Sequence, residues 1–225
     1  MESDHKYHAV VIPDDFSGYS ACDFRLSQRY SKYIEGILVP RGMILDRLEK
    51  MALDILDNLE RRGSTSLTLL CILKGAFKFA ADLCEKLEAA AFSRQKNITI
   101  HLDFIVANTY VNDRVGHETR LSMCSDPGKY ENKDLLVVED LVDTGTTLHK
   151  LYSYLKSLNP RSIEVACLLV KRRQDCVSFD PDYVGFEVPD RFIVGYSIDY
   201  SDHFRELPHI CVVNDQGKKQ FAVRE

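Results

Sequence analysis

LLVVEDLVDTGTTLHKL, from Leu135 to Leu151, decides the reading of the whole chain. An apolar run meets Glu139 and Asp140, then Leu141 and Val142, then Asp143 and Thr144-Gly145-Thr146-Thr147. Such a run reads as a buried strand, with Val138 closing it and the acids where the chain leaves the core. Leu148, Leu151, Leu155 and Leu158 follow at helical spacing. Gly145 supplies a turn position that other residues take only at a cost. The threonine hydroxyls then lie beside the unpaired N–H groups of a helix N-terminus, and together these make a cradle for phosphate. Carboxylates repel phosphate unless they serve another group. Vicinal sugar hydroxyls donate to carboxylates, and a hydrated Mg²⁺ is also held by them. The plainer alternative is that the acids are solvated and the threonines cap the helix.

Working outward, the segments on either side repeat the alternation of strand and helix. GMILDRLEKMALDILDNLERRG carries Leu48, Met51, Ile55 and Leu59 at helical spacing, with a glycine past its end. SLTLLCIL follows as a strand, GAFKFAADLCEKLEAAAF as a helix and ITIHLDFIVANTY as a long strand. SIEVACLLVK is a further buried strand, and the chain from Asp182 onward reads as strand-rich and irregular. Strands apolar throughout, alternating with amphipathic helices, predict a mainly parallel twisted sheet flanked by helices. Ligands bind beyond the carboxyl ends of such strands, where Glu139 and Asp140 fall. Val111 to Lys133 is polar and aperiodic, which predicts a long loop of the lid or binding kind.

Composition removes other classes. The 225 residues suffice for one α/β core, and the net charge of -5 gives no basic stripe for a nucleic acid. Lys171-Arg172-Arg173 is too short to serve as one. No apolar run approaches membrane-spanning length, and MESDHKYHAVV lacks the apolar core of a signal peptide. Seven cysteines without C-x-x-C spacing read as reduced core thiols of a cytoplasmic protein.

VVEDLVDTGTT closely resembles the phosphoribosyl pyrophosphate loop of the type I phosphoribosyltransferases, where an apolar strand leads into two acids, two apolar residues and Asp-Thr-Gly-x-Thr. LLCILKGAFKF, DFIVANTYVND, VACLLVKR, PDYVGFEVPDRFIVGYSIDY and FRELPHICVV resemble the hypoxanthine-guanine phosphoribosyltransferases in order and spacing, from about Tyr19 to the C-terminus. The resemblance implies one domain, with a core of about 36–190 and a small hood formed by the N- and C-terminal segments, about 1–35 and 190–225. It also implies transfer of the phosphoribosyl group from phosphoribosyl pyrophosphate to hypoxanthine or guanine, a requirement for Mg²⁺, and a homodimer or homotetramer.

The roles it implies fall on particular residues. Glu139 and Asp140 match the pair that holds the ribose hydroxyls and, through them, the metal. Asp143 matches the acid beside N7 of the purine, where a carboxylate accepts or returns a ring proton. Thr144, Gly145, Thr146 and Thr147 match the 5′-phosphate cradle. Lys171 matches the donor to the oxygen at C6 of the purine, a contact that disfavours adenine. Phe192 matches the ring stacked on the base, and Ile193 the residue whose backbone reads its edge. Asp199, at the same purine end, matches a carboxylate that holds Mg²⁺ through water. Lys74, Gly75 and Arg205 match the pyrophosphate site. Thr109 and Tyr110 match the lid that excludes water on closing. The chain departs from the family pattern at Ala76 (usually Gly), Val106 (usually Arg), Asn108 (usually Lys), Thr109 (usually Ser) and Thr146 (often Lys). Ala76, Val106 and Asn108 leave the alternative of a diverged, catalytically weak nucleotide-binding paralogue, and Lys171 with the Phe192 region leaves that of a phosphoribosyltransferase that uses xanthine.

Overall fold

The computed structural model of the chain describes residues 8–110, 118–123, 126–173 and 179–222. Its main sheet has seven strands: β1 (Val10–Val11), β3 (Ser66–Leu73), β4 (Thr99–Tyr110), β5 (Glu118–Met123), β6 (Asp134–Val142), β7 (Ser162–Lys171) and β8 (Tyr183–Val188). They lie in the order β1-β8-β7-β6-β3-β4-β5. Every neighbouring pair is parallel except β4 with β5. A second sheet of three antiparallel strands joins β2 (Ile34–Val39), β9 (Ile193–Val194) and β10 (Ile210–Val213) in the order β2-β10-β9. The helices are α1 (Gln28–Ser31), α2 (Arg41–Arg61), α3 (Phe77–Ser93), α4 (Thr146–Lys156) and α5 (Asp215–Phe221).

The main sheet is covered on both faces, as unbroken apolar strands require. Leu69, Cys71, Leu136, Val138 and Leu168 point to the face covered by α2 and α3, where they meet Leu48, Met51, Ile55, Phe79 and Leu83. Their strand neighbours Leu70, Ile72, Leu135, Val137 and Cys167 point to the other face and meet Leu148, Leu151 and Leu155 of α4. Helix α2 ends as its sequence predicts. Gly63 has φ +63°, its N–H donates to the Glu60 carbonyl, and the Ser64 N–H donates to the Leu59 carbonyl.

The small sheet has its own apolar cluster of Tyr30, Tyr33, Ile34, Ile37, Val194, Phe204, Leu207, Cys211 and Val213. Leu38, Val39, Ile193, Ile210 and Val212 join it to the main core. The expected division at residue 36 runs through the middle of β2.

Two expectations need correction. The central strand does not end at Val138: β6 continues to Val142, with Leu141 paired to Leu169 and Val142 to Val170. Glu139 and Asp140 are therefore strand residues, held in place by β7 beside them. The stretch from Val111 to Lys133 is not loop throughout. Glu118–Met123 pairs with the end of β4, and Pro127–Tyr130 forms a 3₁₀ turn whose Tyr130 is wholly buried. Pairing to the preceding strand, β4, outweighs a weak local pattern there. Residues 111–117 and 124–125 of that stretch lie outside the described residues.

Candidate active site

Strands β3, β6, β7 and β8 run parallel, so the segments that leave their carboxyl ends emerge on one side of the sheet. Those segments carry Lys74 and Gly75, Asp143 to Thr147, Lys171 to Arg173, and Asp190 to Ile193. Residues as far apart in sequence as Gly75 and Asp140 become neighbours by this route.

The first group is Glu139, Asp140 and Gly75. Glu139 is buried, and the Asp140 N–H donates to its Oε1 at 3.3 Å. Burial pushes the Glu139 carboxyl well above its usual range, the side-chain hydrogen bond and charge of Asp140 push it further, and the Asp140 N–H opposes them. A Cβ placed on Gly75 would come within 1.9 Å of Asp140 Oδ2, so a glycine is what lets the β3 loop lie against this carboxylate. The peptide Leu73–Lys74 that opens the loop is cis.

The turn after β6 is built on Gly145, with φ +78°, which stands just ahead of α4. Thr144 Oγ1 and Thr146 Oγ1 lie 3.3 Å apart, and the His149 N–H closes the first helical turn on the Gly145 carbonyl. The Thr144 and Thr146 hydroxyls thus lie together at the N-terminus of α4, beside its first N–H groups. Thr147 is half-buried in the same turn.

Beside the cradle, Asp143 and Lys171 form the core of a four-charge cluster. Lys171 Nζ is 3.5 Å from Asp143 Oδ1 and 3.4 Å from Asp190 Oδ1. Arg173 Nη1 donates to Asp143 Oδ1 at 3.1 Å and approaches Asp190 Oδ2 at 3.5 Å. Two residues beyond Asp190, Phe192 stands edge-on to Tyr200 at a centroid distance of 4.7 Å with 38% of its surface exposed. Ile193 is buried, and its backbone pairs with Val212.

The third group lies in the segment after β9. Arg205 pairs with Asp199 at 2.8 Å and with Asp202 at 3.1 Å, and Lys74 Nζ reaches the same Asp202 oxygen at 3.3 Å. The Arg205 Nη1 donates to the Ser197 carbonyl at 2.8 Å, while the Ser197 hydroxyl donates to the Lys74 carbonyl at 3.3 Å. Hydrogen bonds from Arg205 and Lys74 hold the Asp202 carboxyl below its usual range. Tyr196, Ser197, Ser201, Asp202 and Phe204 all have positive φ, so strained backbone is concentrated where these charges are placed.

The structure therefore brings Lys74 to Arg205, Gly75 to Asp140, and Asp143 to Lys171. It does not assemble Glu139, Asp140 and Asp199 into one metal cage. Asp199 is committed to Arg205 and to the Asp202 N–H, and no cluster of three or more metal-ligating side chains occurs among the described residues. Thr109 and Tyr110 close β4 opposite Thr119 and Glu118; their side chains lie outside the described residues, as does the tip of the expected lid. The sequence reading missed Arg173, Asp190 and Asp202. Their only local signals are positions two after Lys171, two before Phe192 and three after Asp199.

The family model of the phosphoribosyl transferase domain matches residues 40–201. The hypoxanthine-guanine phosphoribosyltransferase of Schistosoma mansoni is 49% identical over 218 residues, which cover 97% of this chain and 76% of that one. Phosphoribosyltransferase domain-containing protein 1 of Xenopus tropicalis is 39% identical over 216 residues, covering 96% of this chain and 95% of that one. The crystal structure of the Schistosoma mansoni enzyme in complex with IMP matches with a TM-score of 0.82 at 44% identity, covering 96% of this chain and all of that one. Hypoxanthine phosphoribosyl transferase of Trypanosoma cruzi matches with a TM-score of 0.75 at 30% identity, covering 88% of this chain and 98% of that one.

Proposed function

This chain belongs to the phosphoribosyl transferase family, and on that premise we propose that it joins hypoxanthine or guanine to phosphoribosyl pyrophosphate, yielding IMP or GMP and pyrophosphate. The observation that carries the reading is the meeting of Asp143 and Lys171 at the ends of β6 and β7, directly beside the cradle. One ligand with a phosphate at Thr144 to Thr147 and a base at Lys171 spans both.

The reaction follows from the groups present. Purine N9 attacks C1 of the ribose, the bond from C1 to the pyrophosphate oxygen breaks, and Asp143 takes the proton released at N7. Lys171 donates to the oxygen at C6; adenine offers a donor there instead, and two donors facing each other leave both unpaired. Phe192 supports the face of the base. Arg205 and Lys74 receive the departing pyrophosphate, and the Arg205 Nε is buried without a partner among the described residues.

Glu139 and Asp140 fit a sugar diol and a hydrated cation, because no lysine or arginine pairs with either carboxylate among the described residues. Mg²⁺ bound there through the diol, with Asp199 reaching it through water after parting from Arg205, would offset the charge of the pyrophosphate. The family resemblance also carries a homodimer or homotetramer. The described cysteines are free thiols, which suits a cytoplasmic location, and among the described residues no helix is long and apolar enough to cross a membrane.

Calorimetric titration with IMP, GMP and AMP tests the reading. IMP and GMP should bind at least about tenfold more tightly than AMP, the scale of a hydrogen bond to a charged group. Equal binding of AMP contradicts it.

A further inference from the structure

Arg173 has no assigned part in the chemistry, yet it sits on the carboxylate that moves the proton. Its Nη1 donates to Asp143 Oδ1 at 3.1 Å, a shorter contact than the 3.5 Å from Lys171 to the same oxygen. The same guanidinium nitrogen lies 3.5 Å from both oxygens of Asp190, which Lys171 reaches at 3.4 Å. Two cations and two carboxylates therefore share one knot at the ends of β6, β7 and β8. Asp143 is half exposed, whereas the Lys171 and Arg173 side chains are 11% and 24% exposed. An aspartate so open to solvent keeps several rotamers of similar energy unless a partner selects one.

We propose that Arg173 is a positioning residue for Asp143. It holds Oδ1 so that Oδ2, which no described residue engages, is the oxygen presented to the purine. The proposal rests on the transfer reaction inferred above. It also assigns the division of labour between the two cations. Lys171 must leave its carboxylates to reach the base, and when it does, Asp143 and Asp190 would stand uncompensated side by side. Arg173, spanning both acids, keeps them neutralised and separated while Lys171 is occupied. A guanidinium suits the task because its several donors lie in a fixed plane and its charge does not titrate. The contacts described for Arg173 are with Asp143 and Asp190, so its effect belongs to the chemical step and the base, not to phosphoribosyl pyrophosphate.

Steady-state kinetics of the full chain, Arg173→Ala and Arg173→Lys with hypoxanthine, phosphoribosyl pyrophosphate and Mg²⁺ test this, together with thermal melting of each. The expected result for Arg173→Ala is a fall in kcat of about tenfold, the cost of a loosened reacting group. The KM for phosphoribosyl pyrophosphate should stay within about twofold and melting should be unchanged, while Arg173→Lys recovers most of the loss. A kcat for Arg173→Ala within about twofold of the parent overturns the proposal, as does a lysine variant no better than alanine. A fall in melting temperature with both KM values raised also overturns it, in favour of a general structural role. An unaltered chain with no turnover overturns the transfer reading itself, a result distinct from any of these.

Discussion

At the residue scale, the strongest dependence is on Asp143. Its carboxylate lies between the threonine turn and Lys171, 3.5 Å from the Lys171 Nζ, so on the proposed reaction Asp143→Asn should lower turnover by about a hundredfold, the usual scale for a lost general base. Binding of phosphoribosyl pyrophosphate should change little because the cradle is intact. A loss under about tenfold would mean that another group takes the proton. Gly75 gives a second, purely steric prediction. A methyl group there would lie within 1.9 Å of Asp140 Oδ2 and 2.6 Å of its Cγ, so the Asp140 side chain or the loop after β3 must shift. Gly75→Ala should therefore raise the KM for phosphoribosyl pyrophosphate without lowering stability by more than about 1–3 kcal/mol, the range for a strained insertion. Unaltered kinetics would show that Asp140 moves aside. The acids and the threonine turn after β6 stood out in sequence because a strand followed by acids, glycine and hydroxyls is a local pattern, whereas Lys171 stood out only through the family resemblance. Arg173, Asp190 and Asp202 did not, because their meaning comes from ion pairs between segments that only the sheet brings together.

At the element scale, the buried strands and long helices could be read directly. SLTLLCIL and SIEVACLLVK coincide with β3 and β7, since both are apolar without interruption and end at charged or turn residues. The errors lay where tertiary pairing overrides pattern. β6 runs on through two acids because Leu141 and Val142 find partners on β7, and β5 forms because β4 offers it an edge. That edge bears on the departures at 106 and 108. Val106 is half-buried opposite Ser122, and Asn108 stands opposite Arg120. If cations at 106 and 108 attract pyrophosphate oxygens, Val106→Arg with Asn108→Lys should lower the KM for phosphoribosyl pyrophosphate by about fivefold, roughly 1 kcal/mol. The gain should shrink at high salt. A KM that does not respond, or responds without salt dependence, would show the departures to be electrically neutral to the site.

At the scale of the whole molecule, acid stability should depend on Asp134, a buried carboxylate at the start of β6. Burial alone would raise its pKa, but hydrogen bonds from Arg161, Ser64 and Ser162 outweigh that and lower it from 3.8 to about 2. A folded value below the unfolded one contributes stability that is complete above the unfolded value and disappears as pH falls toward the folded one. Asp134→Asn should cost about 1–2 kcal/mol near neutrality, discounted because Arg161 is half exposed, and the difference from the parent should vanish between about pH 4 and pH 2. Denaturant midpoints across that range check it; a difference independent of pH would refute the assignment. The small sheet was the part least legible in advance. Its strands come from residues 34–39, 193–194 and 210–213, and a strand of two residues has no periodicity to read. Yet this sheet carries the segment with Asp199, Asp202 and Arg205 to Lys74, in the loop that leaves β3. The measurement that bears most directly on that site is product formation from hypoxanthine, guanine, xanthine and adenine, each offered with phosphoribosyl pyrophosphate and Mg²⁺. The account predicts IMP and GMP, with pyrophosphate released in equal amount and no AMP. AMP formed as readily as IMP, or no nucleotide from any base, would contradict it.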